Sequence, residues 1–259
     1  SRIINWCPHC ATALSDTALN AMLPYFQEKF GNPSSLYGFG QAAKADLDAA
    51  RAEVAACLGA KPDEIFFTSG GTEADNWALR GVAEARGGKG RHIITSAIEH
   101  HAILHTLRYL EKYEGFQVTY LGVDSEGFVN PADVKAAIRP DTILISIMSA
   151  NNEIGTIEPV TEIGAIAREA GVLFHTDAVQ AVGHIPVNVD RWNVDLLSLS
   201  GHKFHGPRGV GVLYVRKPLR LPPLIHGGGQ EKGRRSGTEN VAGAVGLAAA
   251  LKEAAAHLD

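Results

Sequence analysis

From residue 64 to residue 215 the sequence alternates between short apolar runs and longer stretches with helical spacing, and this alternation narrows the possible folds more than any other feature. Runs at 64–68, 91–96, 116–120, 142–148, 172–177, 194–200 and 209–215 read as strands. Helical patterns fill the gaps at 74–85, 102–113, 131–138 and 160–171. Upstream, Ser15-Asp16 opens a helix that Gly31-Asn32-Pro33 stops, and a second helix over 41–58 ends at Gly59. The run TILISIM at 142–148 is apolar throughout, as in a strand of a parallel sheet covered on both faces. The expected fold is α/β, with a mostly parallel seven-stranded sheet. Residues 1–13 read as a short irregular segment, and 14–259 as one large domain.

Composition excludes several classes of function. The chain is 45% hydrophobic and 20% charged with a formal charge of −4, which gives no sign of a nucleic-acid or membrane surface. No apolar run approaches the roughly 18 residues of a membrane span. The N-terminus shows no basic region followed by an apolar core, so the expected location is the cytoplasm. Three cysteines, Cys7, Cys10 and Cys57, make no disulfide framework. Cys7-Pro8-His9-Cys10 is a C-x-x-C, but no thioredoxin-like unit follows it and it supplies too few ligands for zinc. No metal site is expected. Cys57, in an alanine-rich helical run, reads as a small packing residue.

Two polar junctions interrupt the apolar pattern. In LSLSGHKFHGPRGVGVLYV, at 197–215, Lys203 sits in a polar knot between two strands. Burial lowers the pKa of a lysine and suits it to Schiff-base chemistry, whereas a lysine at a hairpin tip faces water. The local sequence allows both. In SGGTE, at 69–73, two glycines stand between a strand and a helix, where free N–H groups and the helix dipole suit a phosphate. The plainer reading makes Thr72 the helix N-cap. Thr72, His100, Asn152, Asp177 and Lys203 all fall at or just past the C-terminal end of an expected strand, the edge where open α/β sheets bind ligands.

The blocks SGGTEADNWAL, EHHAIL, ANNEIGTIEP, FHTDAVQAVG, LSLSGHKFHGPRGVGVLYVR and GGGQEKGRRSGTEN, in this order, resemble the cysteine desulfurases. These are pyridoxal-5′-phosphate enzymes of the class V aminotransferase group. MLPYF, FGNPSSL and RRSGTEN are most similar to the nitrogenase and iron–sulfur-assembly branch. The resemblance implies the fold type I (aspartate aminotransferase-like) large domain. It makes Lys203 the lysine that carries the cofactor and moves the substrate Cα proton. It pairs Asp177 with the pyridine nitrogen, Gln180 with the phenolic oxygen, and His100 with the ring face. The neighbouring His101 is a rival for that last role. Asn152 also contacts the cofactor. Gly71, Thr72, Ser200 and His202 form the phosphate cup, and Thr238 reaches the phosphate of a neighbouring subunit, which implies a homodimer.

The implied reaction converts L-cysteine to L-alanine and leaves the sulfur on an enzyme cysteine as a persulfide, for delivery to an acceptor protein in iron–sulfur or thio-cofactor biosynthesis. The family's persulfide cysteine and its substrate-carboxylate arginine lie in a small C-terminal domain that this chain is expected to lack. None of its three cysteines matches the persulfide position. The N-terminus also departs from the family's YLDNAATT-like strand, and only Ala11 and Thr12 match. Selenocysteine lyase or a related β-lyase is one alternative, and a non-catalytic scaffold that keeps the cofactor fold is another.

Overall fold

The computed structural model describes residues 12–35 and 38–258. The irregular segment expected before residue 12, with its C-x-x-C, lies outside the described residues.

Helices α1 (Asp16–Met22), α2 (Pro24–Gln27) and α3 (Gly38–Leu58) precede the alternating region. It then runs β1 (Ile65–Thr68), α4 (Gly71–Arg86), β2 (His92–Ser96), α5 (His101–Glu114), β3 (Gln117–Leu121), α6 (Pro131–Ala137), β4 (Thr142–Ser146), α7 (Val160–Ala170) and β5 (Leu173–Asp177). β6 (Leu196–Ser200) and β7 (Gly211–Val215) follow, then a one-turn segment α8 (Gln230–Gly233) and α9 (Val241–Ala255). The first expected helix is two, because Pro24 has no N–H to continue the hydrogen-bond ladder. Ser15 caps α1 as expected, accepting the Ala18 N–H at 3.1 Å.

The strands form one sheet in the order β1-β7-β6-β5-β4-β2-β3. β6, β5, β4, β2 and β3 are parallel, and β7 runs antiparallel to both of its neighbours. Side chains from α3, α6, α7 and α9 cover one face, and those of α4 and α5 cover the other. Every residue of β1, β2, β4, β6 and β7 is buried, which explains the unbroken apolar runs. Alternation still sets which face each residue takes. Leu197 and Leu199 join the α3–α9 cluster, while Leu196 joins the α4–α5 cluster. Ser198 and Ser200 therefore point to the α4 side, as do His175 and Asp177 of β5, two residues apart like Leu173.

A buried ion pair anchors the segment after β7. The Arg51 guanidinium meets the Glu231 carboxylate at 2.7 and 2.8 Å, and donates to the Ile65 carbonyl at 2.7 Å. Glu231 also accepts the Phe67 N–H at 3.0 Å. These bonds hold Glu231 and Lys232 at φ of 47° and 61°, left-handed values that side chains other than glycine seldom take. Removing one partner would strand a buried charge. Glu231→Ala is expected to lower unfolding stability by about 3–5 kcal/mol in denaturant titrations; a loss below about 1 kcal/mol would show that the pair does not anchor this segment.

Candidate active site

The C-terminal edge of the sheet opens into a cavity of about 250 Å³. Gly71, Thr72, His100, Asn152, Asp177, Gln180, Ser200, His202 and Lys203 all line it. Thr238 does not, and lies in a separate hollow with Ser69 and Arg235. Asp75, Met148 and Val179 line the cavity as well, although sequence reasoning did not select them.

One wall of the cavity is the start of α4. Gly70 is its N-cap, at φ 154° and ψ −178°, a conformation open essentially to glycine alone. Thr72 is thus not the N-cap. Gly70 starts the helix before it, and no side chain caps the first turn. First-turn N–H groups have no intrahelical acceptor, so those of Gly71 and Thr72 are available at the cavity wall. A Cβ on Gly71 would lie 2.7 Å from Val179 Cγ2, which is how closely the helix start seats against the loop after β5. Ser200, the last residue of β6, adds a hydroxyl 2.8 Å from His202 Nδ1. Uncapped amides, a hydroxyl and an imidazole together suit a phosphate.

Lys203 closes a 3₁₀ turn, Gly201–Lys203, between antiparallel β6 and β7. It therefore does lie in a hairpin connection, but its side chain lines the cavity instead of facing water. Burial lowers the pKa of its ammonium, and the Asp177 carboxyl partly opposes that shift. The turn is clamped from outside. Thr12 donates its N–H and its hydroxyl to the His202 carbonyl, each at 2.8 Å, and its hydroxyl accepts the His205 N–H at 2.7 Å. His184 Nε2 donates to the Lys203 carbonyl at 2.8 Å. The clamp holds His205 at φ 65°.

Asp177 ends β5 and is 5% exposed. Its Oδ1 accepts the Val179 N–H at 3.0 Å. Burial raises its pKa, while that N–H, His100 and Lys203 favour the anion. His100 caps α5 by accepting the Ala102 N–H on Nδ1 at 3.1 Å, which leaves Nε2 to carry the proton of the neutral ring. His101 points elsewhere and stacks on His105 with centroids 5.0 Å apart. His100 lines the cavity and His101 does not. Asn151, not Asn152, makes the turn, taking the Glu153 and Ile154 N–H groups at 2.8 and 3.0 Å, and Asn152 is left facing the cavity. Asp75 opens the second turn of α4, three residues past Thr72 and on the same helix face. Donor atoms of Asp75, His100 and Asp177 lie within 4.8 Å of one another.

The cavity brings together an uncapped helix start, a buried acid, a lysine and an imidazole. The class-V aminotransferase model matches residues 9–257. The chain belongs to the class-V aminotransferase family. The family is pyridoxal-phosphate-dependent, and its fold type I sheet is the one described above. The cysteine desulfurase IscS of Methanosarcina thermophila is 58% identical over 96% of this chain, which spans 61% of that relative. IscS of Dictyoglomus turgidum is also 58% identical over 96% of the chain, and 63% of that relative is spanned. The chain thus spans about three-fifths of the length of these relatives. Among solved structures, a NifS-like protein superposes with a TM-score of 0.92 at 48% identity, over 94% of this chain and 67% of that one. A second, described as SspA in complex with cysteine, gives 0.90 at 43%, over 96% and 71%.

In this family member a further buried acid, besides Asp75 and Asp177, stands beside the cavity. Glu99 accepts from Ser96 Oγ at 2.7 Å and from the Met148 N–H at 2.9 Å, and burial pushes its pKa up to about 8. Between its ordinary value and about 8 the folded protein holds a proton that the unfolded chain releases, so this group makes stability fall as pH rises across that window. Glu99→Gln is expected to flatten the decline in Tm between about pH 5 and pH 8; an unchanged slope would show that Glu99 does not titrate there.

Proposed function

We propose that this chain, over residues 14–259, is the pyridoxal-phosphate-binding large domain of a cysteine desulfurase. The observation that carries the reading is the convergence of nine motif residues, from five separate chain segments, on one cavity lined by an uncapped helix start and a buried aspartate. The cavity fits the cofactor chemically. The Gly71 and Thr72 amides, Ser200 and His202 would hold the phosphate, and Lys203 would be the point of attachment.

When bound, the cofactor supplies an electron sink for the charge left as the substrate Cα proton departs. The chain's residues do the rest. Asp177, as an anion, keeps the ring-nitrogen proton in place. Gln180 is assigned to the phenolic oxygen, and Asn152 to a further cofactor contact. Lys203, its pKa lowered by burial, is available in neutral form to take the Cα proton. His100, exposed at the cavity, would lie against the cofactor ring and help move protons. The Thr12 clamp holds the lysine turn in register with the cavity.

L-cysteine is the proposed substrate, in keeping with a solved relative described as holding cysteine. Its C–S bond breaks, the carbon is protonated to give alanine, and the sulfur passes to an enzyme thiolate as a persulfide and then to an acceptor protein for iron–sulfur assembly. Cys57 is unsuited to that thiolate role: it is half-buried on α3, and burial together with Glu53 raises its pKa. Thr238, outside its own cavity, is free to serve the site of a second copy in a homodimer. Persulfide chemistry needs thiols that stay reduced, which suits the cytoplasm.

Protein supplied with pyridoxal phosphate is expected to show the absorption band of a lysine-bound cofactor. Lys203→Ala should abolish that band. A wild-type protein that takes up no cofactor, or a band that survives in Lys203→Ala, would overturn the reading. Cys57→Ser should leave cofactor binding unchanged; lost persulfide formation in that variant would mean that Cys57 is the carrier after all.

A further inference from the structure

Against the cavity wall lies a buried polar patch of which the proposed chemistry uses only Asp177. Strand alternation puts Ser146 of β4, His175 and Asp177 of β5, and Ser198 of β6 on the α4 face, and Asp75 of α4 comes down onto them. Asp75 is 1% exposed. Its Oδ1 is sealed from solvent with no hydrogen-bond donor, 3.6 Å from His175 Nε2. That spacing suits an ion pair, but His175 is not a cation. Full burial pushes its pKa down to about 3, and its ring nitrogens are engaged by Ser146 Oγ at 2.8 Å and Ser198 Oγ at 3.0 Å. Among the described residues, His175 is the one ion-pair partner within 4.0 Å of Asp75, so Asp75 has no cation at that range. A carboxyl oxygen of Asp75 lies within 4.8 Å of one of Asp177, and the two carboxyls raise each other's cost of ionising.

Two carboxyls this close, away from water, cannot both ionise, and one proton is shared between them. Asp177 receives the Val179 N–H and faces Lys203 and His100. Asp75 has only the Ser198 hydroxyl. The proton belongs on Asp75. We infer that Asp75 is a positioning residue: as a carboxylic acid it donates a hydrogen bond to Asp177 from behind and fixes Asp177 as the anion that faces the cavity. On the reading that the cavity takes pyridoxal phosphate, this bond makes Asp177 a weaker base, so the proton opposite it stays on the ring nitrogen.

Carbon-13 NMR of protein labelled at the aspartate carboxyl carbons tests the assignment without cofactor. At neutral pH one aspartate should appear at the shift of a protonated acid, absent in Asp75→Asn and still present in Asp177→Asn. The reverse pattern, or no protonated aspartate, overturns the inference. Spectra with added pyridoxal phosphate give a second readout. Asp75→Asn keeps a neutral N–H donor and should bind the cofactor within about twofold of wild type with the same band, whereas Asp75→Ala should weaken binding about tenfold and shift the pH at which the band changes. An Asn variant as perturbed as the Ala variant also overturns it. If the wild type takes up no cofactor, the proposed function falls, and the NMR result still decides the role of Asp75.

Discussion

A carboxylate buried at the end of the central strand is the feature around which the rest of this structure is arranged. Asp177 is nearly sealed from water, and an isolated anion there would take up a proton. It is kept ionised by what the fold brings to it: a backbone N–H from the loop after β5, the imidazole of His100, the ammonium of Lys203, and the carboxyl of Asp75 behind. Each comes from a different segment. The same charge opposes the drop in the Lys203 pKa, so the acid and the base of the site are set against each other.

The scaffold that supports this arrangement is a parallel sheet with helices on both faces. Parallel strands all end at one edge, so residues distant in sequence meet there. The exception, β7, runs antiparallel and sends the chain back beside β6. That reversal places Lys203 in a tight connection instead of a long crossover, and a tight connection can be clamped. Thr12 bridges two points of the turn with a single hydroxyl, accepting from His205 and donating to His202. Outside the cavity, the Arg51–Glu231 pair and the Arg235–Glu73 pair, the latter at 2.7 and 3.0 Å, hold the segment that carries Thr238.

Much of this was legible in the residues. Strand and helix periods separated cleanly, because buried strands give unbroken apolar runs and the helices keep polar outer faces. Boundaries moved where local chemistry overrode the period: Pro24 broke one helix, and Gly70 started another before Thr72. Asp75 was missed for a physical reason. A single aspartate within an amphipathic helix has the same sequence appearance whether it faces water or a buried strand, and only the docking of α4 on β5 and β6 settles which. The resemblance named His100, with His101 a rival by proximity only; adjacent residues at a helix start differ by about 100° in direction, and His100 is the one that lines the cavity.

The sequence by itself determined the alternating α/β order, the polar junctions at the strand ends, and the family whose motifs fill them, because these depend on local period and residue type. The tertiary structure decided that His100 and Asn152 line the cavity, that Thr238 lies outside it, and that two carboxyls share one buried space. Those outcomes depend on how helices seat against the sheet, which is fixed by packing between segments far apart in the chain. The local sequence around Lys203 left its direction open. The fold turned it inward, toward the buried carboxylate of Asp177.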